Sequence, residues 1–302
     1  MAIDYSESID AVENISREEF EENYCVPEKP VIIKNLWKDY PATTKWTMEY
    51  FKRELGHIEV GLFDNAKQKP DQSFKKPHQK MKFSEYLDFI QKEPTNLRIF
   101  LFNIFKHKPE LFDDFGFPDI TSSYLKKFPF MFFGGANSVV RMHQDMDMSN
   151  VFLTQLHGKK KVILFHPKYS DLLYRYPYTV HTSVDIENPD YDEYPGLNYV
   201  KGSHGLLNHG DTLFMPSGFW HHLTYLEGGF ALSVRALSPH FSRRVEGAWK
   251  VAALNNFDDG MRTVLGNTWF RHKEKVAHQR AEKAIQELHT LEPQKHYSTS
   301  TQ

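Results

Sequence analysis

Two histidines and one aspartate are spaced so that they could hold a metal ion. His143 and Asp145 lie two residues apart in the segment VVRMHQD. In an extended strand this spacing turns both side chains to the same face, so one ion can contact both. A further histidine, His221, follows a turn containing Pro and Gly in MPSGFWHHL. We therefore expect His143, Asp145 and His221 to form one metal site.

The ligand types also indicate which metal this would be. Two histidines and one carboxylate form the facial triad of non-haem iron(II) oxygenases, which leaves half an octahedron open for a chelating cosubstrate and dioxygen. Zinc sites are more often closed or four-coordinate. His221 is preferred to His222 because the adjacent residue of an extended segment points away from the metal. The alternative for each histidine is a site beside aromatic rings, where it makes a hydrogen bond and binds no metal.

Composition argues against several other kinds of chemistry. The single cysteine, Cys25, cannot form an intrachain disulfide or a thiolate cluster, which favours a reducing compartment. The 37 basic and 39 acidic residues give a net charge of −2, so no strong field favours nucleic acid or an anionic membrane. No apolar run reaches the length of a membrane span, and the first residues do not resemble a signal peptide. We expect a cytoplasmic protein.

Further histidines without a paired carboxylate are expected to be structural or solvated: His157, His166, His181, His204 and His209.

Short strands are predicted to position the metal ligands. Between residues 98 and 240, β-branched and aromatic runs alternate with Gly, Pro, Asn and Asp, as is typical of a sandwich or barrel. The predicted strands in this core are Phe130–Phe133, Val139–His143, Asn150–Leu156, Lys161–Phe165, Asp211–Met215 and Phe230–Ala236.

The flanking segments show a different pattern. Residues 1–97 are predicted to pack on the core as α/β elements, with helices in Ser16–Tyr24, Trp46–Leu55 and Phe83–Gln91, a strand in Lys29–Leu36, and an exposed loop or flap in Asp64–Lys80. Residues 241–291 are helical by periodicity, and residues 292–302 are expected to be a disordered tail.

Several stretches resemble the JmjC branch of the cupin-fold oxygenases, and within it the protein asparaginyl hydroxylases typified by factor inhibiting hypoxia-inducible factor. These stretches lie between residues 81 and 240 and include RMHQD, HGKKKVILFHP, VDIENPDYDEYP and HGDTLFMPSGFWHHL. The resemblance implies a mainly β fold, the double-stranded β-helix or jelly roll, with flanking N-terminal helices and a C-terminal helical segment. It also implies iron(II), 2-oxoglutarate and dioxygen as the reactants that accompany the substrate.

The same resemblance assigns cosubstrate contacts. It implies that Lys159 binds the distal carboxylate of 2-oxoglutarate and that Asn150 lies beside the cosubstrate. The chain departs from the family where Phe100 and Val140 replace a tyrosine and a threonine, and where Arg235 replaces an asparagine. The carboxylate contact would then be rebuilt around Lys159 with Arg235 or a hydroxyl such as that of Ser138.

These features predict an iron(II)- and 2-oxoglutarate-dependent oxygenase that hydroxylates a protein or peptide side chain. Within the same chemistry, a methyl-lysine, a tRNA base and a small molecule stay open as substrates. A cupin-like metal-binding protein without turnover, and an enzyme that does not use 2-oxoglutarate, are the alternatives from other classes. The resemblance also implies a homodimer formed through the C-terminal helices. The alternative is that these helices pack on the sheet of their own chain.

Overall fold

Short strands form where β-branched and aromatic residues alternate with turn residues, and they dominate the computed structural model, which describes residues 2–72 and 74–297. The strands are β1 (Asp4–Ser8), β2 (Asp10–Glu13), β3 (Val31–Lys34), β4 (Glu59–Asp64), β5 (Gln79–Lys82), β6 (Leu97–Phe102), β7 (Phe130–Gly134), β8 (Val139–His143), β9 (Asn150–His157), β10 (Lys160–Phe165), β11 (Lys201–Leu207), β12 (Thr212–Met215), β13 (Trp220–Tyr225) and β14 (Gly229–Ala236). The α-helices are α1 (Arg17–Phe20), α2 (Ala42–Lys45), α3 (Met48–Leu55), α4 (Phe83–Lys92), α5 (Phe241–Trp249), α6 (Asn255–Leu265) and α7 (Asn267–Tyr297).

The strands form two sheets that pack against each other. One sheet has the order β1-β11-β10-β13-β8, and the other has the order β2-β3-β12-β9-β14-β7-β6-β4-β5. Most neighbours are antiparallel, and side chains from both sheets, such as Leu164 and Leu213, meet in one buried cluster. This arrangement confirms the predicted mainly β, cupin-type jelly roll. All six predicted strands are present within two residues of their predicted bounds.

The N-terminal residues are part of this architecture. Strands β2 to β6 belong to the larger sheet, so the boundary predicted at residue 98 falls inside a continuous sheet, within β6. Helices α3 and α4 cover its outer face, where the rings of Phe51 and Phe83 pack edge-on against Phe133 at centroid distances of 5.8 and 5.1 Å. Ser16 begins α1 with a capping box that includes Glu19, as a serine followed by glutamate three residues later favours.

The segment Asp64–Lys80 is only partly the exposed loop that its polar sequence predicted. Asp71 within it is 4% exposed, and its carboxylate accepts a hydrogen bond from Lys273 Nζ in α7 at 2.6 Å. Lys273 is fully buried and also binds Asp258 of α6 at 2.8 Å. A charged residue is retained in a protein interior when it is paired in this way. No local pattern in the sequence indicates partners so far apart in the chain.

Helix α7 buries its apolar stripe against its own chain. Ala277 and Ala281 of α7 lie in a buried cluster with side chains of the smaller sheet, and Ile285 and Leu288 pack against that cluster. The predicted stripe is therefore covered without a second copy. Helix α7 continues to Tyr297, past residue 292 where the tail was predicted to begin, and residues 298–302 lie outside the described residues. No helix in the described part of the chain is long and apolar enough to cross a membrane.

Removing Lys273 tests how strongly the buried ion pairs join the loop to the C-terminal helices. We expect Lys273→Met to lower the free energy of unfolding by about 3 kcal/mol, because Asp71 and Asp258 would stay buried with one cation fewer. Urea denaturation measures this change. Lys283→Met is the control, since Lys283 lies 78% exposed on the same helix and should change stability by less than about 0.5 kcal/mol. Equal stability of the two variants would contradict the assigned role.

Candidate metal centre and cavity

The three predicted ligands meet at one point of the structure. His143 ends β8 and His221 lies directly opposite it on β13, while Asp145 follows in the loop that leads to β9. Their candidate ligand atoms all lie within 4.8 Å of one another. His222 points the other way, and its Nε2 lies 3.2 Å from Glu187 Oε1. The strand alternation used to prefer His221 therefore agrees with the observed geometry.

Backbone contacts orient both imidazoles toward the same point. His143 Nδ1 lies 2.8 Å from the carbonyl oxygen of Arg141, and His221 Nδ1 lies 3.2 Å from that of Phe219. When each Nδ1 donates its proton to the carbonyl, each Nε2 keeps a lone pair for a metal. Burial lowers the pKa of both rings, and the proximity of His221 lowers that of His143 further. Both rings are therefore neutral, as metal ligands must be.

Asp145 supplies the negative charge of the centre. Burial alone would raise the pKa of its carboxyl group, but the charge and the hydrogen bond of the neighbouring Arg235 guanidinium outweigh burial and hold that pKa well below its usual range. Two neutral imidazoles and one carboxylate on one side of a point leave the other side open. This donor set fits iron(II), which accepts nitrogen and oxygen ligands in an open facial site.

A cavity of about 440 Å³ extends from this cluster between the two sheets. Alternate residues of β13 line it, namely His221, Leu223 and Tyr225. On the neighbouring strand β10, Leu164 is opposite His221 and Lys160 is opposite Tyr225. Lys160 lies four positions before Leu164, about 13 Å along an extended backbone, so its side chain enters the cavity away from the metal cluster.

Two buried cations lie at the end of the cavity away from the metal cluster. Lys160 and Arg98 both line the cavity and are 2% and 4% exposed. Lys160 Nζ lies 4.2 Å from the ring centroid of Tyr225, and Arg98 Nε donates to Asn65 Oδ1 at 2.6 Å. Among the residues that the structure describes, neither cation has a carboxylate within 4.0 Å.

The pKa values of Lys160 and Arg98 are both lowered, because burial disfavours the charged form of each side chain. Burial, with a smaller effect from Arg98, lowers the pKa of Lys160 to about 7, and burial lowers the pKa of Arg98 to about 10. A buried charge is normally paired, because its desolvation is otherwise uncompensated. This end of the cavity therefore suits an anion.

The structure places Lys160, rather than the predicted Lys159, at this end of the cavity, one residue further along the chain. The Lys159 side chain is 38% exposed and lies 3.4 Å from Glu227, outside the cavity. Side chains alternate between the two faces of a strand, so Lys160 points inward and its neighbours point outward. The run of three lysines carries no signal that distinguishes them. Only the pairing of β10 with β13 does so.

The same one-residue shift affects Asn150. Its Oδ1 accepts a hydrogen bond from the backbone N–H of Ser217 at 2.9 Å, and its Nδ2 lies 3.8 Å from Cys25 Sγ, on the face of β9 opposite the cavity. Val151 lines the cavity instead. Asn150 therefore has a structural role here, and an apolar residue takes the predicted cosubstrate-side position.

Ser138 and Arg235 also differ from their predicted roles. Ser138 is fully buried beside Tyr225 and does not line the cavity, and its Oγ has no hydrogen-bond partner among the described residues. Arg235 does line the cavity, but its Nη1 lies at the metal end, 3.2 Å from Asp145 Oδ2. Arg235 therefore does not join Lys160 at the cationic end.

Sequence reasoning missed three residues near the site. Arg98 lies in a short apolar strand that gave no indication of a buried cation, and Tyr225 lies beyond the histidine pair that drew attention to this segment. His181, expected to be structural or solvated, is 6% exposed and stacks on His143 at a centroid distance of 6.0 Å. Phe100 and Val140, the two departures from the family pattern, do line the cavity.

Comparisons with known proteins agree with this fold and site. The family model described as a cupin-like domain matches residues 17–275. Lysine-specific demethylase 8 of Xenopus tropicalis is 27% identical, with 72% of this chain and 50% of the relative covered. The tRNA wybutosine-synthesizing protein 5 of Gallus gallus is 26% identical, over 75% of this chain and 76% of the relative. Lysine-specific demethylase JMJ30 of Arabidopsis thaliana is 28% identical, over 72% and 52%.

The chain thus spans about half the length of the demethylase relatives and about three quarters of the length of the tRNA-modifying relative. The family model covers most of the chain, including both sheets and all three candidate ligands. A His-Asp-His cluster that lines a jelly-roll cavity agrees with that match. The chain belongs to the family of cupin-like domains.

Proposed function

We propose that this protein is an iron(II)- and 2-oxoglutarate-dependent oxygenase that hydroxylates a side chain of a protein or peptide. One observation carries the proposal, namely that a single cavity joins a facial cluster of metal ligands to two buried cations that have no acidic partner among the described residues. A ligand that satisfies both ends needs a metal-chelating group and a second anionic group. 2-Oxoglutarate has both.

His143, Asp145 and His221 would hold the iron. When bound together, iron(II), 2-oxoglutarate and dioxygen supply the oxidising power for hydroxylation of an unactivated C–H bond, with release of succinate and carbon dioxide. The residues of the chain orient the reactants. The aspartate supplies one negative charge, and the two imidazoles stay neutral because they are buried.

Lys160 and Arg98 would hold the distal carboxylate of the cosubstrate. In the family pattern, the hydroxyl groups of a tyrosine and a threonine assist the lysine, and this chain has Phe100 and Val140 at those positions. The second cation, Arg98, would take the place of those hydroxyl groups. Apolar side chains of both sheets form the walls between the two ends: Val151, Leu153, Leu213 and Leu223. Walls of this kind exclude water and strengthen the ionic contacts within the cavity.

A polypeptide is the substrate class that we favour. Two of the relatives described above are named lysine-specific demethylases, and the resemblance to asparaginyl hydroxylases points in the same direction. The net charge of −2 gives no general attraction to nucleic acid. The name of the third relative makes a tRNA the second candidate, and a peptide library and a tRNA pool assayed in parallel distinguish the two.

We also propose a cytoplasmic location, on the basis of the single cysteine, and a homodimer. The apolar residues left exposed on α5 and α6 support the dimer now that the stripe of α7 is covered: Phe241, Val245, Trp249, Phe257, Val264 and Leu265.

Succinate formation tests the reaction. Protein loaded anaerobically with iron(II) and 2-oxoglutarate and then exposed to oxygen should release succinate, because uncoupled turnover needs no prime substrate. We expect Asp145→Ala to reduce succinate to the level of a protein-free blank, since it removes the anionic ligand. Asp192→Ala, which removes an exposed acid, is the control and should retain activity. Equal succinate from both variants would contradict the metal site, and no succinate from the wild type would favour a cupin-like metal-binding protein without turnover.

Calorimetric titration of 2-oxoglutarate into manganese-loaded protein tests the cationic end. We expect Lys160→Met to weaken binding by about 10- to 100-fold, the effect of losing a hydrogen bond to a charged group. Lys159→Met and Lys161→Met are matched controls, because neither side chain points into the cavity, and both should bind within about twofold of the wild type. Weakening in Lys159→Met alone would restore the assignment made from the sequence.

The pH dependence of this titration provides a second check. An anion binds the protonated form of Lys160, so affinity should fall as pH rises above about 7, where the free protein loses that proton. The limiting slope is about tenfold per pH unit for one linked proton. The slope should be absent in Lys160→Met. A wild-type affinity that stays constant from pH 7 to 9 would show that the lysine is not the group that binds the carboxylate.

Light scattering tests the dimer. We expect a dimeric mass at micromolar concentration for the wild type, and a monomeric mass when Val245 and Trp249 are both replaced by Ser, because apolar contact area on α5 is lost. The double replacement Lys283→Ser and Glu287→Ser on the exposed face of α7 is the control. A monomeric wild type would end the proposal.

A further inference from the structure

Arg235 replaces an asparagine of the family pattern, and its contacts at the metal end are unusual. The side chain, near the end of β14, is 14% exposed. Its Nη1 lies 3.2 Å from Asp145 Oδ2 and donates to Asp147 Oδ1 at 2.8 Å and to Ser149 Oγ at 2.9 Å. All three acceptors belong to the loop between β8 and β9, which carries one of the metal ligands. One nitrogen therefore ties the tip of β14 to that loop.

The loop is also held from behind, independently of Arg235. Ser149 Oγ donates to Asp147 Oδ2 at 2.9 Å, which fixes the second carboxylate. Met148 adopts a left-handed conformation with φ of 50°, and its carbonyl oxygen accepts a hydrogen bond from Ser217 Oγ at 2.6 Å. A non-glycine residue takes this conformation only when its surroundings impose it. Asp147 is thus a rigid anchor for the guanidinium.

Helix α5 closes the back of the same loop. A Cβ atom at Gly247 would lie 2.1 Å from the carbonyl oxygen of Asp147, so only glycine permits the observed approach. The C-terminal segment therefore packs directly behind the residues that hold Arg235. This contact gives α5 a structural role at the metal centre that does not depend on oligomerisation.

The charges of the group favour the same role for Arg235. Asp145 and Asp147 carry two negative charges, and Arg235 carries one positive charge. An arginine guanidinium keeps its proton at neutral pH, so Arg235 stays charged. The three side chains together present a net charge of −1 to the metal, which equals that of a single carboxylate. Asp147 and Arg235 together therefore stabilise the loop without changing the net charge near the metal.

We propose that Arg235 is a positioning residue that holds Asp145 as a ligand through one oxygen. The guanidinium contacts Oδ2, so a metal bound through Oδ1 alone would leave that contact in place. A carboxylate that bound through both oxygens would take a coordination position needed by the cosubstrate or dioxygen. This inference rests on the proposed function in requiring a metal at His143, Asp145 and His221. It replaces the role in carboxylate binding predicted for Arg235 from the sequence.

The test is the affinity of the protein for manganese(II), measured by calorimetry without cosubstrate. We expect Arg235→Met to weaken manganese binding by about 10- to 100-fold, the usual effect of losing a group that orients a metal ligand. Arg235→Lys should recover most of the affinity, since a single ammonium can replace the single contacting nitrogen. Arg17→Met removes a cation from an exposed ion pair and is the control for net charge. If Arg235→Met does not fold, Arg235→Gln takes its place with the same expected direction.

Three outcomes would overturn the proposal. Unchanged manganese affinity together with weakened 2-oxoglutarate binding would make Arg235 a cosubstrate ligand. Tighter manganese binding in Arg235→Met would show that the guanidinium only competes with the metal for the carboxylates. Equal affinity for manganese and for 2-oxoglutarate in all variants would reduce the contact to packing. A wild type that binds no manganese would instead contradict the proposed function itself, so the two failures are distinguishable.

Discussion

Two cations buried without an acid place the strongest constraint on this molecule. Lys160 and Arg98 are almost inaccessible to solvent, and the described residues offer them an aromatic ring and an amide oxygen rather than a carboxylate. Desolvation of a charge costs several kcal/mol unless an opposite charge compensates it. The fold can hold Lys160 and Arg98 together only if an anion occupies the cavity or if Lys160 is a neutral amine. The lowered pKa of Lys160 agrees with the neutral amine in the free protein. Ligand binding and protonation are therefore linked at this residue.

The jelly roll explains how this end and the metal end share one cavity. Strand β13 contributes a side chain to the wall at every second residue, from His221 to Tyr225, and β10 runs beside it in fixed register. The register of the two strands therefore determines which side chains enter the cavity at each end. At the metal end, the loop carrying Asp145 is held by Arg235 from β14 and by the approach of α5 at Gly247. Residues far apart in sequence thus determine one ligand geometry.

The sequence was sufficient for the fold class and for the three residues that meet at the metal end. His143 and Asp145 could be paired because a two-residue spacing has one meaning in a strand, and the preference for His221 over His222 used the same rule. The alternation rule did not locate the cavity-lining residues near Lys159 and Asn150, because it does not say which of two neighbouring residues faces inward. A one-residue shift moves every side chain to the other face. In the run from Lys159 to Lys161 nothing local identifies the residue that faces inward.

Other features depend on contacts between distant segments, which a single sequence does not reveal. Arg98 is the one charged residue of the apolar strand β6. Only the folded structure shows that it lies beside Lys160. Asp71 appeared to lie in a solvated loop, yet it pairs with Lys273, 202 residues later in the chain. Arg235 was recognised as a departure from the family, but its partners Asp147 and Ser149 could not be inferred from that departure.

A crystal structure of the protein grown anaerobically with iron(II) and 2-oxoglutarate tests the central claim most directly. The expected result is metal density bound by His143, Asp145 and His221, with the distal carboxylate of 2-oxoglutarate against Lys160 and Arg98. Metal at this site with the cationic end occupied only by water, or with 2-oxoglutarate bound elsewhere, would contradict the assignment of the cavity to this cosubstrate.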